Sequence, residues 1–217
     1  MNARRARVPL ALAALLLCPG LAAAQEVQTG ESVTPRRLTV NVKSFEDIAL
    51  EGKRLVESGK LGPDTVLDVS ATAERAEDGR LKPESVKIEW RTGADELLSE
   101  LARQVITALS ESRVLGGLES VKAVRLGLKL DRQNVSVLVA CETPSEADAE
   151  RYAISYGLLA RVGAINKRGT DEGSLYERLG FSSEGKVFKM TFGMSRAEAA
   201  RMIADMLAKR TAKGQPD

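Results

Sequence analysis

Apolar and polar residues alternate in four separate stretches of the chain, and each stretch runs through a capping residue into a helical stripe. Leu38, Val40 and Val42 alternate, and Ser44 with Asp47 three residues on then opens a helix that turns Ile48, Leu55 and Val56 inward and stops at Gly59. Val86, Ile88 and Trp90 alternate, and Thr92 with Asp95 opens a longer helix carrying Leu97, Leu98, Leu101, Val105, Ile106 and Leu109 on one side. Val135, Val137, Val139 and Cys141 lead into Thr143-Pro144-Ser145-Glu146, which reads as a capping box with proline at the first helical position. Phe188, Met190 and Phe192 lead into Ser195 and Glu198, ahead of Ala199, Met202, Ile203, Met206 and Leu207.

Two hairpins join these stretches. Leu67, Val69, Ala71 and Ala73 form a strand that turns at Asp78-Gly79 and returns through Val86 to Trp90. Val124, Leu126, Leu128 and Leu130 run to a turn over Asp131 to Asn134 and return as the strand ending in Cys141. Strands joined by a hairpin are antiparallel, and a strand with one apolar face needs helices to cover it. The expected class is therefore α+β: a mainly antiparallel sheet covered on one face by amphipathic helices, built from repeated strand–cap–helix units. Asn166 to Gly185 is the least regular stretch, with Leu175 and Leu179 spaced for a short helix.

The N-terminus has its own pattern. Arg4, Arg5 and Arg7 precede an apolar run from Val8 to Leu17, and Ala22-Ala23-Ala24 supplies small residues ahead of Gln25. That is the layout of a cleavable export signal, with an apolar run too short to span a bilayer. The expected division is a signal over 1–24, a polar leader over 25–35, one α+β unit over 36–130, a second packed against it over 131–208, and a tail over 209–217. The expected location is periplasmic or secreted after cleavage near Ala24. Lipid attachment at Cys18 is the lesser alternative, because Leu17 is larger than the residue such a site takes.

Cleavage changes the charge balance. The whole chain holds 32 basic and 30 acidic residues; without the three arginines of the signal, 29 face 30. A near-neutral chain with interspersed signs gives no electrostatic footprint for nucleic acid or anionic lipid. No stable membrane insertion of the mature chain is expected. Of the two cysteines only Cys141 remains, at strand spacing among valines, as a buried small apolar residue.

Little else in the chain points to catalysis. It contains no histidine, which removes the commonest general base and metal ligand. One mature thiol builds no thiolate cluster. The adjacent acids Glu77-Asp78 and Asp171-Glu172 fall where a turn or a helix start takes acids anyway. Asn134-Val135-Ser136 matches a glycosylation sequon at a turn that favours Asn for its backbone. Trp90 is expected on the core face of its strand, Tyr152, Tyr156 and Leu159 as a core stripe with hydroxyls at the rim, and Arg36-Arg37 as a solvated pair. No catalytic, cofactor-binding or metal-ligating residue is assigned.

Residues 64 to 130 resemble the C-terminal domain of TonB- and TolA-type periplasmic proteins. The resemblance rests on Leu67-Asp68-Val69, the turn Asp78-Gly79-Arg80, Val86-Lys87-Ile88, the helix opening Gly93-Ala94-Asp95-Glu96-Leu97-Leu98, its continuation from Ala102 to Ser110, and a closing strand from Val124 to Leu130. Val114-Leu115-Gly116-Gly117 stands where that family carries an aromatic-x-Pro. The resemblance implies protein binding by strand addition to a sheet edge. Together these readings give an exported, non-catalytic binding or adaptor protein of the bacterial cell envelope, engaging an envelope protein through a sheet edge or a cleft between its units. Leu38 to Lys43 and Val187 to Phe192 are the expected edges. The alternatives are a TonB/TolA-type transport component and a carboxylate-dependent enzyme.

Overall fold

The computed structural model describes residues 43–62, 64–93, 95–112 and 114–212. The elements run α1 (Lys43–Glu57), β1 (Leu67–Glu74), β2 (Lys87–Thr92), α2 (Glu96–Ser112), β3 (Ala123–Leu130), β4 (Asn134–Glu142), α3 (Glu146–Asn166), α4 (Asp171–Glu177), β5 (Leu179–Glu184), β6 (Val187–Ser195) and α5 (Arg196–Ala212). All six strands join one antiparallel sheet in the order β2-β1-β3-β4-β6-β5. The class is α+β, as the alternation requires. The boundary expected at residues 130/131 falls in the β3–β4 turn, and the strands on either side of it pair along their whole length.

Register explains why one face is covered and the other is not. Trp90, Val69, Leu128, Val137, Phe192 and Leu179 stand side by side across the sheet, and Ile88, Ala71, Leu126, Val139, Met190 and Phe181 form the next row on the same face. Between them, on the opposite face, lies Glu89, Ser70, Gly127, Leu138, Thr191 and Gly180. A period of two cannot place both sets on one side. The apolar rows meet Leu98, Leu101 and Ala102 of α2, Ala199 and Met202 of α5, and Leu175 of α4 in one cluster. A second joins Ile106 and Leu109 of α2 to Ala149 of α3 around Val124, Cys141 and Phe188. Burying each large side chain of this kind contributes about 1.5–3 kcal/mol. α1 adds a further layer on α2, where Ile48 meets Ala108.

The caps differ in detail from their expected positions. Helix α1 begins at Lys43, so Ser44 lies within it, and Gly59 ends it at φ 75°. Leu38, Val40 and Val42 lie outside the described residues. Thr92 is still in β2; Asp95 caps α2 instead, its carboxylate accepting from the Leu98 N–H at 2.7 Å. The chain reaches that cap through Gly93 at φ 81°, where a Cβ would sit 2.5 Å from the Val66 carbonyl oxygen. Ser145, in extended backbone, caps α3 by accepting from the Asp148 N–H at 3.1 Å. Pro144 therefore precedes the cap, and the Thr143 hydroxyl ties the loop to the carbonyl oxygens of Ser145 and Lys186, each at 2.8 Å. Ser195 and Glu198 form the reciprocal box expected of them. The Ser195 hydroxyl accepts from the Glu198 N–H at 3.2 Å, and the Glu198 carboxylate accepts from the Ser195 N–H at 3.2 Å. Hydrogen bonds from the Ser195 hydroxyl and then from its N–H hold that carboxyl below the usual range.

Three further corrections concern elements and edges. The stretch expected to be least regular holds α4 and a whole strand, β5; Leu175 is buried in the helix, but Leu179 starts the strand. Helix α5 runs on to Ala212, into the segment expected as a tail. Val187 to Phe192 is not an edge: β6 lies between β4 and β5. Lys43 is helical, and the rest of the other expected edge, Leu38 to Val42, lies outside the described residues.

Candidate binding surfaces

Cys141, Asp78 and Asn134 hold structural positions. Cys141 is fully buried, and burial pushes its thiol up to about 12, far from the thiolate a nucleophile or metal ligand requires. Asp78 sits in the exposed β1–β2 turn, where its carboxylate accepts from the Arg80 N–H at 3.0 Å. Asp171 and Glu172 open α4, which Thr170 caps by accepting from the Gly173 N–H at 3.1 Å. Asn134 is at the start of β4, its N–H donated to Asp131 at 2.7 Å. Among the described residues no group of three His, Cys, Asp or Glu converges to hold a metal ion, and no helix is long and apolar enough to cross a membrane.

The aromatic residues pack where the core reading puts them. Trp90 is half-buried on the helix-facing side of β2, against the main cluster. Tyr152 and Tyr156 pack over Phe188 with ring centroids 5.8 and 5.6 Å away, and Tyr156 stacks on Phe181 at 6.1 Å. The Tyr152 hydroxyl reaches the rim and meets the Ser120 hydroxyl at 2.9 Å. Burial, and after it the neighbouring Tyr152, raises the Tyr156 hydroxyl above its ordinary value.

The two edges of the sheet are built differently. Along β2 the outward-facing alternate residues Lys87, Glu89 and Arg91 are charged and exposed, and the pairing with β1 is broken by an irregularity at Asp68/Val69. Charges and bulges are the devices that stop an edge from accepting another strand. Strand β5 has neither from Leu179 to Ser183. Its first charge is Glu184, beside the turn, where it pairs with Lys189. Glu184 and Val187 are the pair of residues that flanks the two-residue turn Gly185-Lys186. Counting the antiparallel alternation from it, Ser182 and Gly180 spend their main-chain groups on β6, whereas Ser183 and Phe181 turn theirs outward. An extended peptide can pair with those groups whatever its side chains.

Sequence reasoning missed β5 because Gly180, Ser182 and Ser183 leave it only two apolar positions, Leu179 and Phe181. The signal that would have found it is the short Gly-Lys link to the unmistakable strand that follows. No family model, curated protein or solved structure matches this chain.

Proposed function

We propose that this chain is an exported, non-catalytic binding or adaptor protein of the bacterial cell envelope that engages a protein partner by strand addition along β5. The observation that carries this reading is the asymmetry of the two sheet edges: β2 is charged and irregular, while β5 presents uncharged backbone from Leu179 to Ser183. The signal-like first 24 residues support the location, and the resemblance of residues 64–130 to TonB/TolA-type domains supports strand addition as the mode.

The test is a crosslinking capture from the envelope fraction with the chain and its Ser183→Pro variant. Proline at 183 removes an outward-facing N–H and no bond of the β5–β6 ladder, so the fold tolerates it at an edge. The expected result is a specific envelope protein captured by the parent and lost from the variant, with unchanged circular dichroism and melting. Equal capture by both would show that β5 is not the contact.

A further inference from the structure

Helix α3 is apolar on two opposite sides. Ala149, Tyr152, Tyr156 and Ala160 face the sheet. On the far side Ile154, Leu158, Val162 and Ile165 are 65, 56, 42 and 73 % exposed. Steps of four, four and three residues put them in one row along the helix, and nothing among the described residues covers that row. Between Glu150, one turn before Ile154 on the same row, and Asp171 of α4, the chain carries one sign. From residue 151 to residue 170 there are four basic residues, Arg151, Arg161, Lys167 and Arg168, and no acid. The run is bounded by Asp148 and Glu150 before it and by Asp171 and Glu172 after it. Arg151 is bridged to Asp148 at 2.7 Å; Arg161, Lys167 and Arg168 are exposed.

We infer that this side of α3 docks on an anionic phospholipid surface and lies along it rather than crossing it. Four side chains over eleven residues span about 17 Å at ~1.5 Å per residue. With a helix about 10 Å wide, the footprint is roughly 170 Å², well short of the roughly 600 Å² per partner of a specific protein interface. A lipid surface takes in a narrow apolar ridge, and its phosphates can meet the exposed guanidinium groups of Arg161 and Arg168. The helix is already formed and fixed to the sheet by its other side, so docking spends nothing on folding it.

Binding to vesicles is not a sufficient readout, because the apolar run from Val8 to Leu17 can itself enter lipid. The full chain offers a local one. Trp90 is its only tryptophan and lies on β2, at the sheet edge away from β5. In the Leu158→Trp variant, vesicles of brominated phosphatidylglycerol are expected to quench emission beyond the parent's Trp90 signal, and brominated phosphatidylcholine is not. Adding Arg161→Gln and Arg168→Gln is expected to weaken that quenching about twenty- to thirtyfold in lipid concentration, at about fivefold per removed charge. Ser183→Pro is expected to leave it unchanged, which separates this surface from the β5 edge. Absence of excess quenching on either lipid overturns the inference, as does equal quenching on both. Concentration-dependent dimerisation abolished by Leu158→Ser, without lipid quenching, would assign the row to a second copy instead.

Discussion

The two halves of the sheet finish their surfaces in opposite ways. In the β2-β1-β3 half the edge strand is charged and irregular, and the covering helix α2 is itself covered by α1 through Ile48, Val105 and Ala108. In the β4-β6-β5 half the edge strand is uncharged to Ser183, and the covering helix α3 leaves Ile154, Leu158 and Ile165 more than half exposed. Both halves contribute to the inner face, since every strand places residues in the two apolar rows. The difference therefore lies in what each half leaves for other molecules. One is closed by its own chain; the other keeps backbone groups and apolar side chains in reserve.

That contrast concerns surfaces, and the largest perturbation asks whether it extends to stability. Phe188 is 2 % exposed and packs against Tyr152, Tyr156 and Phe181 in the open half. Phe188→Ala is expected to cost about 3–5 kcal/mol in urea unfolding, from lost burial and the cavity left behind. Because β3 and β4 pair over their whole length, amide exchange in β1 should accelerate along with that in β6. Acceleration confined to β4, β5 and β6 would mean that the halves unfold separately.

Arg196 gives a smaller but more pointed test. It begins α5 in the open half, and its guanidinium donates to the carbonyl oxygens of Asp131 at 2.9 Å and Thr65 at 3.0 Å, the latter in the loop before β1. The side chain is buried, and it supplies the Thr65 carbonyl with a hydrogen-bond donor. Arg196→Met keeps most of the volume and removes the donors. The expected loss is about 2–4 kcal/mol, from charge-assisted hydrogen bonds and the carbonyls left behind, and exchange should rise at Thr65 and Val66 before it rises in β6.

How much of this was legible in the sequence follows from which forces are local. Alternation and capping are local, so β1 to β4, β6 and the Ser195–Glu198 box could be read directly. The caps at Asp95 and Ser145 slipped by a few residues because Thr92 and Thr143 can also cap a helix. Only the strand pairing of Thr92 and the tie from Thr143 to Lys186 decide between them. Edge identity is topological. Val187 to Phe192 reads as an edge until β5, too poor in apolar residues to announce itself, pairs outside it. The outer row on α3 was hidden for a different reason. Ile154 and Leu158 interleave with Tyr152 and Tyr156, so the helix is apolar nearly all round, and periodicity cannot say which side meets the sheet. Its basic flank was hidden by averaging over a near-neutral chain.

The smallest effects expected come from two glycines of α3, and they locate its covered side independently of any ligand. A Cβ at Gly157 meets nothing within 4 Å, whereas one at Gly163 lies 2.9 Å from the ring of Tyr176, itself buried in α4. In a helix interior alanine is favoured over glycine by about 0.8–1 kcal/mol. Gly157→Ala should therefore stabilise the chain by roughly that amount. Gly163→Ala has the same propensity gain but forces the Tyr176 ring aside, and overpacking of this kind costs about 1–3 kcal/mol. The two substitutions are chemically identical and lie six positions apart in one helix, yet their melting shifts should have opposite signs. Two shifts of the same sign would mean that α4 does not press on α3 at Gly163, and the covered side of α3 would then be narrower than its contact with α4 implies.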